Sequence, residues 1–146
     1  MTIFVDADAC PVKREIVQIA SHYMAEVVFV ASYTHMKTEP EPGKWVFVDS
    51  VPEAADLYIM NHASKGDVAV TQDIGLASTL LSKGVYVLSP RGMQFDERNM
   101  QTALEMRHIS AKARRQGKYG KGPKPYEEED RQRFLKEFAK VLSKLL

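Results

Sequence analysis

The sequence predicts an α/β protein in which helices cover both faces of a mainly parallel sheet of about five strands, with one more helix at the C-terminus. Short apolar, β-prone segments alternate with segments whose apolar residues recur at helical spacing, which is typical of parallel sheets. Acidic or polar residues follow most of the apolar segments. Ligands of open α/β sheets bind beyond the carboxyl ends of the strands, so these residues are the first candidates for a site.

Local signals set the boundaries of the elements. The predicted strands cover residues 3–5, 26–31, 45–48, 68–71 and 85–88. The predicted helices cover residues 13–24, 51–63, 74–82, 95–109 and 127–146. Pro11 opens the first helix because its missing N–H has no partner in a first turn. Ser50 and Glu53 have the spacing of a capping box, and Gly84 ends the third helix. Residues 32–44 are polar, which predicts a loop.

The C-terminal part of the chain differs from the rest. We expect an α/β domain over residues 1–110, a flexible basic linker over 111–126 and a final helix over 127–146. No acid occurs between residues 107 and 124, and glycine and proline interrupt this basic stretch, which favours a mobile segment. The final helix carries an apolar stripe that must pack either on the domain or on a partner chain, and the second arrangement would give a homo-oligomer.

Composition limits the classes of function. The chain has 146 residues, of which 45% are hydrophobic, enough for one domain with a substantial core. The net charge of +1 excludes binding of polyanions by bulk charge alone. The single cysteine excludes an intrachain disulfide and fits a reducing cytosol. No apolar run approaches the roughly 20 residues that span a bilayer. We therefore expect a cytoplasmic protein that does not bind membranes.

The carboxyl edge of the predicted sheet is acidic. Asp6 and Asp73 follow strands that should be neighbours, so they form the best pair. The further candidates near this edge are Asp8, Asp49 and Asp56. Clustered carboxylates repel one another, and Mg²⁺ or Mn²⁺, which prefer oxygen ligands, would remove this repulsion. The edge therefore predicts a Mg²⁺ or Mn²⁺ site that orients a water and neutralises a phosphate.

Each acidic residue also has a structural explanation. Asp8 and Asp73 each precede a helix and would serve as N-caps. Asp49 would be a turn residue, and Glu53 a capping-box partner. Asp67 lies before its strand and beside a glycine, so we expect a turn residue at the opposite edge of the sheet.

The other reactive side chains favour packing roles. Cys10 stands near a helix N-terminus, where a thiolate is favoured, but the neighbouring acids oppose its ionisation. We therefore interpret Cys10 as a small packing or capping residue. The four histidines lack zinc-ligand spacing, and Trp45 is most simply a core residue.

Basic side chains near the acidic edge are candidates for contact with phosphate. Lys13 and Arg91 should flank this edge, and the alternative for each is a solvated charge. The basic segment adds the substrate-binding candidates Arg114, Arg115 and Lys118. These charges would contact nucleic-acid phosphates without reading sequence, and Tyr119 would stack on a base. The alternative for this segment is a solvated flexible loop.

Three motifs point to a family. They are Asp6-Ala-Asp8-Ala-Cys10-Pro-Val-Lys13, Gly66-Asp-Val-Ala-Val-Thr71-Gln-Asp73-Ile-Gly-Leu-Ala77 and Ser89-Pro-Arg91-Gly92. Their combination resembles the YaiI/YqxD family of uncharacterised bacterial proteins, which is placed among PIN-like domains. The resemblance covers the chain from Thr2 through the basic segment. It implies a three-layer α/β/α fold related to metal-dependent ribonucleases.

The resemblance also implies roles for individual residues. The aspartates of the first strand, of a helix and of the Thr-x-Asp motif in PIN nucleases are matched here by Asp6, Asp56 and Asp73. PIN nucleases usually have another acid between the first two of these, for which Asp49 or Glu53 would substitute. Asp8 and Cys10 are additional to the common PIN pattern.

Three functions fit these residues. The first is a Mg²⁺- or Mn²⁺-dependent nuclease acting on RNA or another nucleic acid, with Asp6, Asp56 and Asp73 as catalytic metal ligands. Asp8 or Asp49 would assist them. The second is a phosphatase of the haloacid-dehalogenase type, since Val5-Asp6-Ala-Asp8 resembles that family's opening motif, with Asp6 as nucleophile and Asp8 as acid/base. The third is a binding module without catalysis, in which the basic segment grips RNA.

Overall fold

The computed structural model describes residues 1–36, 40–118 and 124–146. Within these residues the chain forms one six-stranded sheet and five α-helices. The strands are β1 (Thr2–Asp6), β2 (Glu26–Ser32), β3 (Lys44–Val48), β4 (Val68–Val70), β5 (Tyr86–Leu88) and β6 (Gln94–Phe95). The α-helices are α1 (Lys13–His22), α2 (Ala54–His62), α3 (Ile74–Ser82), α4 (Glu97–Arg115) and α5 (Glu128–Leu145). Two 3-10 turns, Ala7–Ala9 and Tyr33–His35, follow β1 and β2.

The sheet is parallel except at one edge, which confirms the predicted fold class. Its strand order is β3-β2-β1-β4-β5-β6, and β6 pairs antiparallel with β5. The other pairings in the described part of the chain are parallel. The sequence does not predict β6, because a strand of two residues is too short to show an alternating pattern.

The strand order creates a topological switch point beside β1. The chain moves from β1 through β2 to β3 in one direction, and then returns to place β4 on the other side of β1. A crevice forms beyond the carboxyl ends of two strands where the order reverses in this way. Asp6 ends β1, and Thr71 and Asp73 follow β4. The predicted acidic pair therefore lies at the switch point.

Hydrophobic clusters on the two faces of the sheet give the fold its three layers. One cluster joins the sheet to α1 and α5 and contains the fully buried Phe134. The other joins it to α2, α3 and α4 and contains the fully buried Ile59. Alternate residues of β1 contribute to both clusters, with Ile3 and Val5 on one face and Phe4 on the other, as the pleat of a strand requires.

The apolar stripe of α5 packs on the chain's own domain. Phe134 is fully buried in the same cluster as residues of α1. The Ser89-Pro-Arg91-Gly92 motif holds the start of α5, because Arg91 Nη1 lies 3.0 Å from an Asp130 carboxylate oxygen. A Cβ atom at Gly92 would lie 2.6 Å from the backbone of Arg133, so only glycine allows this approach. This motif is therefore part of the docking surface for α5.

Two predicted boundaries are wrong. Ser50 and Glu53 form no capping box, since Glu53 is itself the N-cap of α2 and its side chain makes no capping hydrogen bond. Helix α4 does not end at Ile109 but continues to Arg115, into the predicted linker. Residues 110–115 are mainly alanine and long basic side chains, which favour helix and suit a helix C-terminus. Gly117, with a φ of +77°, stands just beyond the end of the helix.

Part of the predicted linker and loop lies outside the described residues. Residues 119–123, with Tyr119 and Lys121, belong to the linker, and residues 37–39 to the loop. No α-helix in the described ranges is long and apolar enough to cross a membrane.

Candidate active site

Thr71 links the two central carboxylates of the switch point. Its hydroxyl donates to Asp6 Oδ2 at 3.0 Å and accepts from the backbone N–H of Asp73 at 3.0 Å. Thr71 is only 2% exposed, so water competes little for either hydrogen bond. Asp6, at the end of β1, and Asp73, at the start of α3, are therefore held in a defined relation across the crevice.

Asp73 also caps α3. Its Oδ1 accepts from the backbone N–H of Leu76 at 3.0 Å, which confirms the structural explanation for this residue. An ionised carboxylate offers about four acceptor positions on two oxygens, so one capping bond leaves capacity for another ligand. Capping therefore does not conflict with a role in a site.

Asp56 approaches this pair from α2. Burial, followed by the charge of Asp73, raises the pKa of Asp56 to about 7. A hydrogen bond with Asp73 and the charges of Asp6 and Glu53 act in the same direction. Such effects between carboxyl groups are strong only when the groups are a few ångströms apart. The aspartates of β1, α2 and the β4–α3 connection therefore share one crevice.

Asp6 experiences the same crowding. Burial raises the pKa of Asp6, and the hydrogen bond from Thr71 opposes this rise. The charges of Asp73 and Asp8 raise the pKa further. Desolvation and like charge both disfavour a fully ionised cluster, so the crevice favours bound protons or a bound cation.

The other two predicted metal ligands, Asp8 and Asp49, have different environments from the three aspartates above. Asp49 is exposed and follows the edge strand β3. Asp8 contacts β2, because both its carboxylate oxygens accept from the backbone N–H of Ser32 at 3.1 Å. Asp8 Oδ1 also lies 3.1 Å from His35 Nδ1. The expectation that Asp8 caps α1 is wrong, since the N-cap of α1 is Val12.

The donor chemistry of the crevice fits a hard divalent cation. In the described ranges, no three or more histidine, cysteine, aspartate or glutamate side chains already surround a common metal position. Mg²⁺ and Mn²⁺, however, prefer carboxylate oxygens and retain several waters, so they need few protein ligands. Asp6, Asp56 and Asp73 are the residues that would hold such an ion. Because the pKa of Asp56 is raised to about 7, a proton on this carboxyl group neutralises charge that a cation would otherwise neutralise.

Arg107 lies near Gly75 in the first turn of α3, which the sequence pattern does not predict. Its Nη1 lies 3.1 Å from the point where a Cβ atom of Gly75 would stand, and Asp73 Oδ1 lies 3.3 Å from the same point. Arg107 is exposed and forms no ion pair within the described part of the chain. Gly75 in the first turn of α3 was the available signal, because glycine inside a helix is unfavourable unless close approach requires it.

The predicted substrate-binding cations have different environments. Lys13 begins α1, and its Nζ donates to the backbone oxygen of Cys10 at 2.7 Å. Arg91 is engaged with α5 through Asp130, and its guanidinium lies 5.7 Å from the ring centre of Tyr126. Three exposed cations lie at or just beyond the end of α4, and they are Arg114, Arg115 and Lys118.

Cys10 has the packing role that the sequence indicates. It is buried in the cluster that contains α1 and α5. Burial raises the pKa of the Cys10 thiol to about 11, so it is a poor nucleophile at neutral pH. Trp45 packs against the same cluster, and its ring centre lies 4.6 Å from that of Phe29.

Sequence comparison places the chain in a family. The family described as an uncharacterised BCR, the YaiI/YqxD family, matches residues 4–144. The chain belongs to the YaiI/YqxD family. This finding confirms the resemblance carried by the three motifs.

Several relatives match nearly the whole chain. A UPF0178 protein of Bacillus cytotoxicus is 52% identical over 97% of this chain and 92% of its own length. One of Bacillus velezensis is 54% identical over 97% of this chain and 85% of its own length. A UPF0178 protein of Listeria welshimeri is 53% identical over 90% of this chain and 89% of its own length. No solved structure gave a significant match to the chain.

Proposed function

We propose that this YaiI/YqxD protein is a Mg²⁺- or Mn²⁺-dependent nuclease that hydrolyses phosphodiester bonds in RNA or another nucleic acid. The observation that supports this most strongly is the convergence of Asp6, Asp56 and Asp73 from separate elements at the switch point. Carboxyl groups crowded in one crevice repel one another, and a divalent cation relieves that repulsion. Such an ion could bridge the protein to a phosphate.

The bound ion would orient a water, assist its deprotonation and neutralise charge on the phosphate. The protein's own contribution is the arrangement of the carboxylates. Thr71 orients Asp6 through Oδ2, and the Leu76 N–H orients Asp73 through Oδ1. These bonds fix the rotamers of two of the proposed ligands, so the crevice is organised before substrate arrives.

Arg107 would contribute a positive charge to phosphate binding. Its Nη1 lies 3.1 Å from the Cβ position of Gly75, as Asp73 Oδ1 does at 3.3 Å, and Arg107 is exposed with no ion pair among the described residues. A guanidinium presents planar N–H groups that match phosphate oxygens. We therefore place a phosphate that flanks the cleaved bond between the acidic crevice and Arg107. Lys13, at the start of α1, would contact the opposite side of the same nucleotide chain.

A binding module without catalysis is the second candidate. It is favoured by the exposed basic end of α4, which presents Lys112, Arg114 and Arg115 on one helix with Lys118 just beyond it. Such a surface binds phosphates without reading sequence, and its affinity falls steeply with salt. In this candidate the acidic crevice would hold an ion that stabilises the fold.

A phosphatase of the haloacid-dehalogenase type has less support. That reaction would need Asp8 to exchange a proton with the substrate while Asp6 attacks phosphorus. Asp8 instead accepts from the Ser32 N–H with both oxygens and lies 3.1 Å from His35 Nδ1. These contacts turn the Asp8 carboxylate toward β2 and the turn that follows it.

A Mn²⁺ titration by calorimetry tests the proposal, using wild-type protein, Asp6→Asn/Asp73→Asn and the matched control Asp49→Asn. Asparagine can still cap α3 and accept from Thr71, so the double variant should fold. We expect saturable binding by wild type and by Asp49→Asn, and none by the double variant. Equal binding by all three proteins would remove the basis for the metal site.

An RNA assay separates the two candidate functions. Cleavage that requires Mn²⁺ and is lost in the double variant supports the nuclease. RNA binding that is independent of Mn²⁺ and unaccompanied by turnover supports the binding module.

We also propose a cytoplasmic location, where the unpaired thiol of Cys10 would remain reduced. The C-terminal helix supplies no reason to propose a homo-oligomer, because its apolar stripe is buried within the same chain.

A further inference from the structure

A cavity lies beyond the carboxyl end of β5, where the β4–α3 connection, the turn between β5 and β6, α4 and α5 meet. It has a volume of about 370 Å³, which is within the range of small-molecule pockets. Its apolar lining consists of Ile74, Met93, Phe95 and Ala103. Its polar lining consists of Gln72, Ser89, Arg91 and Arg133. An apolar lining with a few polar groups is typical of sites that bind small organic molecules.

The apolar lining has a fixed part and an adaptable part. Phe95, in β6, is only 4% exposed and packs in the cluster that joins the sheet to α2, α3 and α4. Met93 is 44% exposed, so a large apolar side chain stands partly in solvent at the cavity. A ligand that covers Met93 removes apolar surface from water, and the unbranched methionine side chain adapts to the shape of what it covers. The cavity therefore favours a ligand with an apolar body.

Ser89 supplies a hydrogen-bond donor to the cavity. It is 8% exposed, and its Oγ accepts from the backbone N–H of Met93 at 3.1 Å. A hydroxyl also donates one hydrogen bond, and the Ser89 hydroxyl has no acceptor among the described residues. Because a buried donor without a partner costs free energy, an acceptor atom of a ligand is favoured at this position.

Arg133 supplies a pair of parallel donors. Its Nη1 donates to Asp130 Oδ1 at 3.2 Å and to the backbone oxygen of Arg91 at 3.3 Å. In the described part of the chain, Nε and Nη2, which form the other side of the guanidinium, donate to no protein group. Two N–H groups on one side of a guanidinium match the two oxygens of a carboxylate. The contacts that Arg133 already makes therefore leave free the donors that a carboxylate would use.

The charge beside the cavity fits a monoanion. Arg91 Nη1 lies 3.0 Å from Asp130 Oδ2, and Arg91 also donates to the backbone oxygen of Lys124. Arg91 is thus engaged within the protein, and it contributes charge to the cavity rather than a contact. Arg91 and Arg133 carry two positive charges and Asp130 one negative charge, so one positive charge is left over. A small monoanion would neutralise it.

We propose that this cavity binds a small carboxylate with an apolar body. The carboxylate accepts from Nε and Nη2 of Arg133, the Ser89 hydroxyl donates to one of its oxygens, and the apolar body covers Met93. A phosphate group carries up to two negative charges near neutral pH, which exceeds the single positive charge beside the cavity. The second charge would also be repelled by Asp73, whose two neighbours in sequence line the cavity.

Phenylacetate is a suitable probe, because it joins one carboxylate to one apolar ring. We would add it to isotope-labelled full-length protein and follow the backbone amide resonances by two-dimensional NMR. The controls are phenylacetamide, which keeps the shape but loses the charge, and acetate, which loses the ring. We expect saturable shifts of resonances from Ile74, Ser89 and Met93 with phenylacetate. Phenylacetamide should bind about 10-fold more weakly, and acetate should not saturate over the same concentrations.

Two variants test the assigned site, with circular dichroism to verify folding. Arg133→Gln removes an exposed guanidinium and should weaken phenylacetate binding about 10-fold, since a hydrogen bond to a charged group is lost. The matched control Lys136→Gln, which removes an exposed positive charge about one turn further along α5, should bind as wild type does. Ala103→Leu places a larger side chain in the cavity and should abolish saturation without any change of charge.

Four results would each overturn the inference. They are an absence of saturable shifts, shifts confined to residues outside the cavity, equal binding of phenylacetate and phenylacetamide, and binding that is unchanged in both Arg133→Gln and Ala103→Leu. The inference goes beyond the proposed nuclease and does not rest on it, since none of Asp6, Asp56 and Asp73 lines the cavity. Phenylacetate binding is measured without metal, and the Mn²⁺ titration without phenylacetate, so either result can fail alone.

Discussion

The two edges of the sheet use aspartate in opposite ways. At the amino edge, the two oxygens of Asp67 accept from the backbone N–H groups of Thr2 at 3.0 Å and Ser64 at 2.9 Å. At the carboxyl edge, three aspartates share one crevice. Burial and mutual charge there raise the pKa of Asp56 to about 7.

The difference shows how a structural carboxylate can be told from a candidate functional one. Asp67 connects β1 to the turn before β4, and its charge is stabilised by dedicated donors. The charges of the carboxyl edge are only partly stabilised, because desolvation and repulsion outweigh the hydrogen bonds for Asp6 and Asp56. Removing the charge of Asp67 should therefore destabilise the fold. Removing the charge of Asp6 at the carboxyl edge should instead lower the proposed activity.

The largest expected effect is the loss of cleavage in Asp6→Asn. The amide can still accept from Thr71, so the fold is preserved while a proposed metal ligand loses its charge. We expect Mn²⁺-dependent cleavage of a labelled RNA to fall by about 100-fold or more, since even partners outside the first coordination shell cost 10- to 100-fold in other metal sites. Asp49→Asn should cleave at the wild-type rate. Retained cleavage by Asp6→Asn would show that the reaction occurs elsewhere.

The second prediction concerns the amino edge. Asp67→Ala removes the acceptor of two backbone N–H groups, so we expect the free energy of unfolding to fall by about 1–3 kcal/mol. Asp49→Ala, at an exposed aspartate, should change it by less than about 0.5 kcal/mol. Urea denaturation of both variants measures the difference. Equal stability of the two variants would contradict a structural role for Asp67.

The sequence predicts where the acidic crevice lies better than it predicts which residues line it. Asp6 and Asp73 follow apolar strands, and the order of elements brings the ends of parallel strands to one edge. Asp56 fits the helix aspartate of PIN nucleases, but its distance from Asp73 depends on how α2 packs. The sequence places Asp8 and Asp49 at the same edge because it predicts where each strand ends. It does not predict how far apart the strands lie across the sheet. In the structure Asp49 lies beside the edge strand, and Asp8 is bound to β2 while its charge still acts on Asp6.

Some features cannot be read from local patterns at all. The approach of Arg107 to Gly75 depends on how α4 packs on α3, and the local signal for it is a glycine inside a helical segment. The cis packing of α5 depends on Arg91 and Gly92, which contact it from a distant part of the chain. Such contacts join residues far apart in sequence, where periodicity carries no information.

The third prediction tests whether Arg107 contacts a substrate phosphate. We expect Arg107→Gln to lower kcat/KM for RNA about 10-fold, mainly through KM, as for the loss of one hydrogen bond to a charged group. In Gly75→Ala, the new Cβ would lie 3.1 Å from Arg107 Nη1, so the end of this side chain must shift by a few tenths of an ångström, and the kinetic loss should be smaller. Stability of Gly75→Ala should be unchanged or up to about 1 kcal/mol higher, because alanine is the better helix former. Arg98→Gln, on the same helix as Arg107, should show no kinetic loss.

An unchanged KM in both Gly75→Ala and Arg107→Gln would contradict a phosphate contact by Arg107. A loss in Gly75→Ala alone would instead indicate that the methyl group disturbs Asp73, whose Oδ1 lies 3.3 Å from the same point.

The smallest expected effect is a pH-dependent gain of stability in Asp56→Asn without metal. Because the folded protein raises the pKa of Asp56 to about 7, the native state binds this proton more tightly than the unfolded chain, whose aspartates titrate near 3.9. This stabilisation is complete below about pH 4 and is lost as the pH rises toward 7. The neutral asparagine avoids the loss, so Asp56→Asn should melt roughly 2–4 °C above wild type at pH 8, but not at pH 4. Added Mn²⁺ should stabilise wild type at pH 8 and reverse the order of the two proteins. If the difference in melting temperature between the two proteins is the same at both pH values, burial and the neighbouring carboxyl groups do not raise the pKa of Asp56.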